Sequence, residues 1–141
     1  MDGGRLDGTA YGRQNPTHDA ALTEVRAGTP CGEWLRRFWH PVALSSDATT
    51  RPKQVRLLGE DLILFRDRKG RPGLLYPRCM HRGTTLFYGK VEDEGIRCCY
   101  HGWLFGVDGT CLDQPCEPEH GLHRDVARQP WYPVEERYGL V

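Results

Sequence analysis

The most constraining feature of the sequence is a pair of short segments that each hold one cysteine and one histidine. The first is Cys79-Met80-His81, the second is Cys98-Cys99-Tyr100-His101, and sixteen residues separate them. Thiolate and imidazole both bind transition metals, and each segment is short enough to lie on one loop. Two such loops at the tips of neighbouring hairpins can bring four ligands into one small volume. The spacing therefore predicts a metal centre built from Cys79, His81, Cys98 and His101.

The mixed ligand set favours a binuclear iron–sulfur cluster over a single metal ion. In a cluster of this kind two cysteines bind one iron and two histidines bind the other, so each loop must reach both metals. The unequal C-x-H and C-x2-H spacings are compatible with that requirement. Zinc prefers pairs such as C-x2-C with H-x3-5-H, and a zinc-stabilised interaction module is the alternative. Gly83 and Gly102 follow the histidines and allow tight turns that bring backbone amides close to sulfur.

Strand and turn signals along the chain predict an all-β domain with little helix. Residues 1 to about 20 are rich in Gly, Pro, Asn and Asp and lack apolar periodicity, so we expect a flexible N-terminal arm. Thr29 can cap a short helix that has Pro30 at its first position and that ends at His40-Pro41. The runs VRLL, LILFR and LLY, separated by polar turns, predict two hairpins. Frequent glycines divide the remainder into brief strands and tight loops.

Charge and hydropathy argue against two classes of partner. Nineteen basic residues balance nineteen acidic ones, so no net field attracts nucleic acid or an anionic membrane. No apolar run approaches the length of roughly 18 residues that a membrane helix needs, and Met1 to Ala10 does not resemble a signal peptide. Six cysteines without a signal peptide favour metal ligands and free thiols in a reducing compartment. We therefore expect a cytoplasmic protein that binds neither nucleic acid nor membrane.

The residues around the two Cys/His pairs resemble the Rieske domain of ring-hydroxylating oxygenase α subunits. The resemblance rests on residues 79–83, on the block from Cys98 to Phe105, and on Asp108-Gly109-Thr110-Cys111. Residues 28–42, with the sequence GTPCGEWLRRFWHPV, are similar to the entry segment of the phthalate-dioxygenase-like branch. The similarity implies a small antiparallel β-sandwich with a cluster-binding subdomain of two hairpin loops, plus a short N-terminal helix.

The resemblance also implies a cofactor and its ligands. Residues 21–141 would form one Rieske domain, with a [2Fe-2S] cluster held by Cys79, His81, Cys98 and His101. Because two histidines replace two thiolates, the oxidised cluster is formally neutral, and such clusters lie at about −150 to +300 mV against about −400 mV for plant-type ferredoxins. Thr84 and Tyr100 replace the cysteines of an extra disulfide in high-potential respiratory relatives, so we expect the low end of that range.

Such oxygenases resemble a two-domain design, in which a second domain binds a mononuclear iron through two histidines and one carboxylate. This sequence stops too early to include that domain. We therefore expect the N-terminal part of an aromatic-ring hydroxylating or demethylating oxygenase, with mononuclear Fe(II) only in the missing catalytic domain. The isolated chain would be an electron-transfer component of an oxidoreductase. The implied partners are a reductase or ferredoxin donor, the catalytic oxygenase domain, and further copies of the chain in a homotrimer.

One other function and several other candidate residues are alternatives to this interpretation. A free-standing Rieske ferredoxin is the alternative carrier, although the long arm and the Tyr-His-Gly-Trp block argue against it. His120 and His123, near Glu119 and Asp125, resemble an iron site but lie in a proline-rich loop. Trp103 can exclude water from the cluster as well as anchor the core.

Overall fold

The computed structural model describes residues 17–122 and 124–141, which fall into two compact units divided between Phe38 and Trp39. The predicted arm, residues 1 to about 20, lies outside the described residues except for its last four positions. Within the described ranges, no helix is both long enough and apolar enough to cross a membrane.

The first unit contains two short helices, α1 (Ala20–Thr23) and α2 (Pro30–Leu35). Thr29 caps α2 as predicted, because its Oγ1 accepts the backbone N–H of Gly32 at 3.2 Å and Pro30 takes the first helical position. The predicted end at His40-Pro41 is wrong, since α2 ends at Leu35. The chain continues in a tighter turn with i to i−3 hydrogen bonds, which satisfies the last carbonyls without extending the helix. Helix α1 was not predicted, because four residues are too few for a periodic pattern.

The second unit consists of two four-stranded antiparallel sheets, which confirms the predicted all-β fold. The first sheet has the order β1-β2-β3-β8, with the strands β1 (Lys53–Leu57), β2 (Glu60–Arg66), β3 (Pro72–Leu75) and β8 (Trp131–Tyr132). The second sheet has the order β4-β5-β6-β7, with the strands β4 (Lys90–Val91), β5 (Gly95–Arg97), β6 (Leu104–Gly106) and β7 (Cys111–Asp113). Short 3-10 turns occupy Ser45–Asp47, Leu86–Tyr88 and Pro118–His120.

Strand β2 is buried on both faces, which explains its uninterrupted apolar run. Ile63 and Phe65 are completely buried in one core, together with residues of the second sheet. Leu62 and Leu64 point the other way and pack in a second core. A strand that lies between two cores cannot show the alternation of a half-exposed strand. The two cores thus hold β2 as an interior strand of the first sheet, between β1 and β3.

The larger core also contains the sulfur-bearing residues of the predicted centre. Cys79 and Cys98 are buried in the same cluster as Phe65, Leu86 and Phe105. Both loops therefore start from packed positions at the margin of the core, and the stability of that core controls how firmly they are held.

We expect Phe65→Ala to lower the free energy of unfolding of the purified chain by about 3–5 kcal/mol, because it leaves a cavity in the larger core. Denaturant unfolding measures this change. Val126→Ala, at a side chain that is 78% exposed, should stay within about 0.5 kcal/mol of the unaltered chain. Equal effects of the two substitutions would contradict the assignment of Phe65 to the core.

Candidate metal centre

The two Cys/His segments adopt the same five-residue backbone turn. In the first loop, Cys79 donates its N–H to the carbonyl of Thr84 at 2.8 Å and accepts the N–H of Gly83 at 2.8 Å. In the second loop, Cys98 donates to the carbonyl of Trp103 at 2.8 Å and accepts the N–H of Gly102 at 3.1 Å. The two loops are thus closed by equivalent pairs of hydrogen bonds, even though their sequences differ.

A glycine closes each turn because the backbone there is left-handed. Gly83 has φ of +72° and Gly102 has φ of +75°, a region that residues with a Cβ rarely adopt. Each glycine lies four residues after its cysteine, whereas the histidine lies two residues after Cys79 and three residues after Cys98. The unequal C-x-H and C-x2-H spacings therefore belong to the same backbone turn. The histidine occupies the third position of this turn in the first loop and the fourth position in the second.

Both loops connect elements of the packed sheets. The second loop joins β5 to β6, so it is the tip of a hairpin, as predicted. The first loop follows β3 and is closed by an antiparallel bridge between Arg78 and Thr85. Each loop is therefore short and anchored at both ends, which limits how far its ligands can move.

The two thiols lie inside this arrangement. Cys79 and Cys98 are 3% and 4% exposed, and both belong to the same buried cluster. Burial raises the pKa of the Cys79 thiol to about 11, and the neighbouring Cys98 adds to the rise. The backbone N–H groups of His81 and Arg82 act in the opposite direction and lower the pKa. A positively charged partner would therefore be needed to hold the Cys79 sulfur as a thiolate.

The two imidazoles lie at the half-buried rim of the same site. The ring centroids of His81 and His101 are 4.8 Å apart. Trp103 stacks on His81 with centroids 4.3 Å apart and an interplanar angle of 2°, and Tyr100 contacts His101. Burial lowers the pKa of His81, with further contributions from His101 and Arg82, so the neutral, ligating form of the ring is favoured.

The indole nitrogen of Trp103 is a buried donor that no described residue satisfies. Buried polar atoms normally have a partner, and an unpaired N–H beside a stacked imidazole is a place where a bound group can supply an acceptor. Trp103 therefore has two functions at the site, since its ring covers His81 while its N–H stays available.

Arg97 supports the second loop through its hydrogen bonds. Its guanidinium contacts both carboxylate oxygens of Glu92, the Asp113 carboxylate at 2.8 Å, and the carbonyl of Gly102 at 2.5 Å. Its neighbour along the chain is Cys98. The hydrogen bond from Arg97 holds the pKa of Glu92 below its usual value. One half-buried cation thus ties the turn of the second loop to β7 and to the end of β4.

The remaining candidates lie outside this constellation. Cys99 is exposed although its neighbour Cys98 is buried. The Cys111 thiol is buried beside Gln114, and Cys116 lies near the carbonyl of His101. His120 pairs with Asp113 at 3.0 Å, while its proposed companion His123 lies outside the described residues.

Sequence reasoning missed Arg97, Asp113 and Gln129 as supports of the two loops. Arg97 adjoins Cys98, but nothing in the sequence pairs it with Asp113, sixteen residues away. Gln129 is completely buried and hydrogen-bonded to the first loop from 49 to 53 residues away. A buried glutamine has no local pattern that distinguishes it from a surface one.

The fold and the paired loops define an iron–sulfur domain, and comparison identifies its family. Residues 38–133 match the Rieske [2Fe-2S] domain, and the chain belongs to that family. The cofactor of the family is the predicted [2Fe-2S] cluster, so that expectation is confirmed.

Similar proteins support the predicted link to oxygenase subunits. The chain is 73% identical over 135 residues to the phenoxybenzoate dioxygenase subunit alpha of Ectopseudomonas oleovorans, which covers 95% of this chain and 33% of that protein. It is 41% identical over 129 residues to the phthalate 4,5-dioxygenase oxygenase subunit of Pseudomonas putida, which covers 89% and 29%. The structure of NdmA from Pseudomonas putida matches with a TM-score of 0.67 at 32% identity, over 77% of this chain and 34% of that one. The chain spans about a third of the length of these relatives.

We expect Arg97→Gln to lower the free energy of unfolding by about 1–3 kcal/mol at pH 7, because it removes the guanidinium that pairs with two half-buried carboxylates. Because folding lowers the pKa of Glu92, its ionised form stabilises the folded state at pH values above its pKa in the unfolded chain. That stabilisation is lost as the pH falls through the lower pKa of the folded chain. The difference between the two proteins should therefore shrink below about pH 4, where both carboxylates become protonated.

Urea unfolding from pH 7 to pH 3 measures this difference. Arg56→Gln is the control, since Arg56 forms an exposed ion pair with Asp61 on another sheet and should leave stability unchanged. A stability difference for Arg97→Gln that is constant over this range would contradict the ion-pair account.

Proposed function

We propose that Cys79 and Cys98 hold one iron and that His81 and His101 hold the other iron of the [2Fe-2S] cluster. The observation that carries this proposal is the pair of matching turns, which hold two buried cysteines in one core and two half-buried histidines whose ring centroids are 4.8 Å apart. Two thiolates and two imidazoles are the ligand set of a Rieske centre.

The local chemistry fits this group. Among the described residues, no three His, Cys, Asp or Glu side chains converge as they would around one metal ion. A binuclear centre needs only two protein ligands on each iron, because the bridging sulfides complete the coordination. The unpaired N–H of Trp103 is a suitable donor to the sulfur atoms of such a group.

We further propose that the chain transfers single electrons. When bound, the cluster supplies a centre that accepts and releases one electron. The protein's part is to bury the cysteine side, to cover His81 with the Trp103 ring, and to leave the imidazole edges near the surface. His81 and His101 therefore form the edge through which electrons leave. Because the cysteine side is buried and the imidazole side is partly exposed, the imidazole edge is the favoured route for electron transfer.

We propose that residues 21–141 are the N-terminal Rieske domain of an aromatic-ring hydroxylating or demethylating oxygenase. The support is that the relatives with these names match over nearly all of this chain, whereas the match covers only about a third of theirs. Substrate recognition and mononuclear Fe(II) would then belong to a catalytic domain outside the chain. A reductase or ferredoxin would deliver the electrons, and the full-length protein would form a homotrimer.

Electron paramagnetic resonance of the dithionite-reduced protein tests the cluster. The anaerobically reconstituted chain should contain two irons and two acid-labile sulfides, and its average g value should lie below that of an all-cysteine cluster. A colourless protein without a reduced-state signal would contradict the proposal, and so would zinc in place of iron.

Single substitutions test the assignment of the ligands. Cys79→Ser and Cys98→Ser should lose most of the iron and sulfide, since each removes a thiolate. Cys99→Ser is the matched control, because Cys99 adjoins a proposed ligand but is exposed, and it should retain the full cluster. Loss of the cluster in Cys99→Ser with retention in Cys98→Ser would overturn the assignment.

A further inference from the structure

Gln129 lies in the segment that leads into β8 and connects it to the first loop. Its side chain is completely buried and makes three hydrogen bonds, all to backbone groups between Tyr76 and Met80. Nε2 donates to the carbonyl of Tyr76 at 2.9 Å and to that of Arg78 at 2.8 Å, while Oε1 accepts the N–H of Met80 at 2.8 Å. Both amide donors are thus used, and the two carbonyls identify which amide atom is nitrogen.

The hydrogen bond from Gln129 to the Tyr76 carbonyl compensates for Pro130, the residue just before β8. The β3–β8 pairing of Leu75 with Trp131 extends to Tyr76 and Pro130, where the Tyr76 N–H donates to the Pro130 carbonyl at 2.9 Å. An antiparallel pair of this type normally exchanges two hydrogen bonds, but proline has no N–H to return. The Gln129 amide takes the place of that missing donor.

The other two bonds lie on either side of Cys79. The Arg78 carbonyl and the Met80 N–H belong to the peptides before and after this residue, so Gln129 fixes both. Gln129 therefore orients the loop backbone at Met80, and the N–H groups of His81 and Arg82 are the next main-chain donors along the chain from Cys79. Hydrogen bonds to the sulfurs are one of the terms that set the potential of an iron–sulfur cluster.

We infer that Gln129 is a positioning residue that sets the hydrogen bonding of the Cys79 sulfur and thereby the reduction potential of the cluster. This inference rests on the proposed function, since Cys79 must be a ligand. The N–H groups stabilise the reduced cluster more than the oxidised one, because reduction adds negative charge. Loss of the Gln129 bonds should therefore lower the potential.

Gln129→Met tests the inference in the cluster-loaded chain, since methionine has a similar length but cannot make the three hydrogen bonds. At the midpoint potential of the unaltered protein, the ratio of reduced to oxidised cluster should fall several-fold, and the g values of the reduced state should shift. Gln114→Met is the matched control, because Gln114 is also buried, at 3% exposed, and its side-chain amide donates to the Cys111 sulfur. It should leave the potential unchanged.

Adding Pro130→Ala to Gln129→Met separates the effect of Gln129 on the reduction potential from its effect on stability. Pro130 is exposed, and alanine restores an N–H that can donate to the Tyr76 carbonyl. The double variant should regain part of the lost unfolding free energy while its potential stays low, because the bonds on either side of Cys79 are still missing. If Gln129→Met does not fold, the double variant provides the same measurement.

Two results would overturn the inference while leaving the proposed function intact. One is a cluster in Gln129→Met with the potential and g values of the unaltered protein. The other is full recovery of the potential in the double variant, which would show that Gln129 has only a structural role. An unaltered chain that binds no [2Fe-2S] cluster would overturn the proposed function and this inference with it.

Discussion

The structure depends on one short backbone turn that occurs twice. In each copy the cysteine binds a backbone N–H four residues ahead and a carbonyl five residues ahead, and a glycine with positive φ makes this closure possible. The turn buries its sulfur against the core and carries its imidazole outward. Because the two copies face each other, they produce a site with a thiol side and an imidazole side without any long-range covalent link.

The supports of the two turns are chemically different. The second turn is held by a charged network, in which Arg97 joins Glu92, Asp113 and the Gly102 carbonyl. The first is held by a neutral amide, Gln129, which replaces the donor that Pro130 lacks. The carboxylates of the charged support respond to pH, whereas the neutral amide does not titrate. The support of the first turn is therefore independent of pH, and the support of the second turn is not.

Much of this arrangement follows from local sequence. The VRLL, LILFR and LLY runs predict the hairpins of the first sheet, Thr29-Pro30 predicts the start of α2, and the Cys/His spacing predicts two loops, whose histidine rings lie 4.8 Å apart. The end of α2 was not predictable, because apolar residues continue the helical spacing beyond Leu35, where the backbone has already changed to a tighter turn. Arg97 and Gln129 could not be identified either, since their partners are distant in the chain and their roles depend on carbonyls that carry no sequence signal.

The central claim is that the two irons are bound unequally, with thiolates on one and imidazoles on the other. Mössbauer spectroscopy of the chain loaded with iron-57 tests it most directly, because the spectrum reports each iron separately. The oxidised protein should give two ferric doublets of equal area with clearly different isomer shifts, and the added electron should localise on the imidazole-bound iron. A single ferric environment in the oxidised protein would contradict the account.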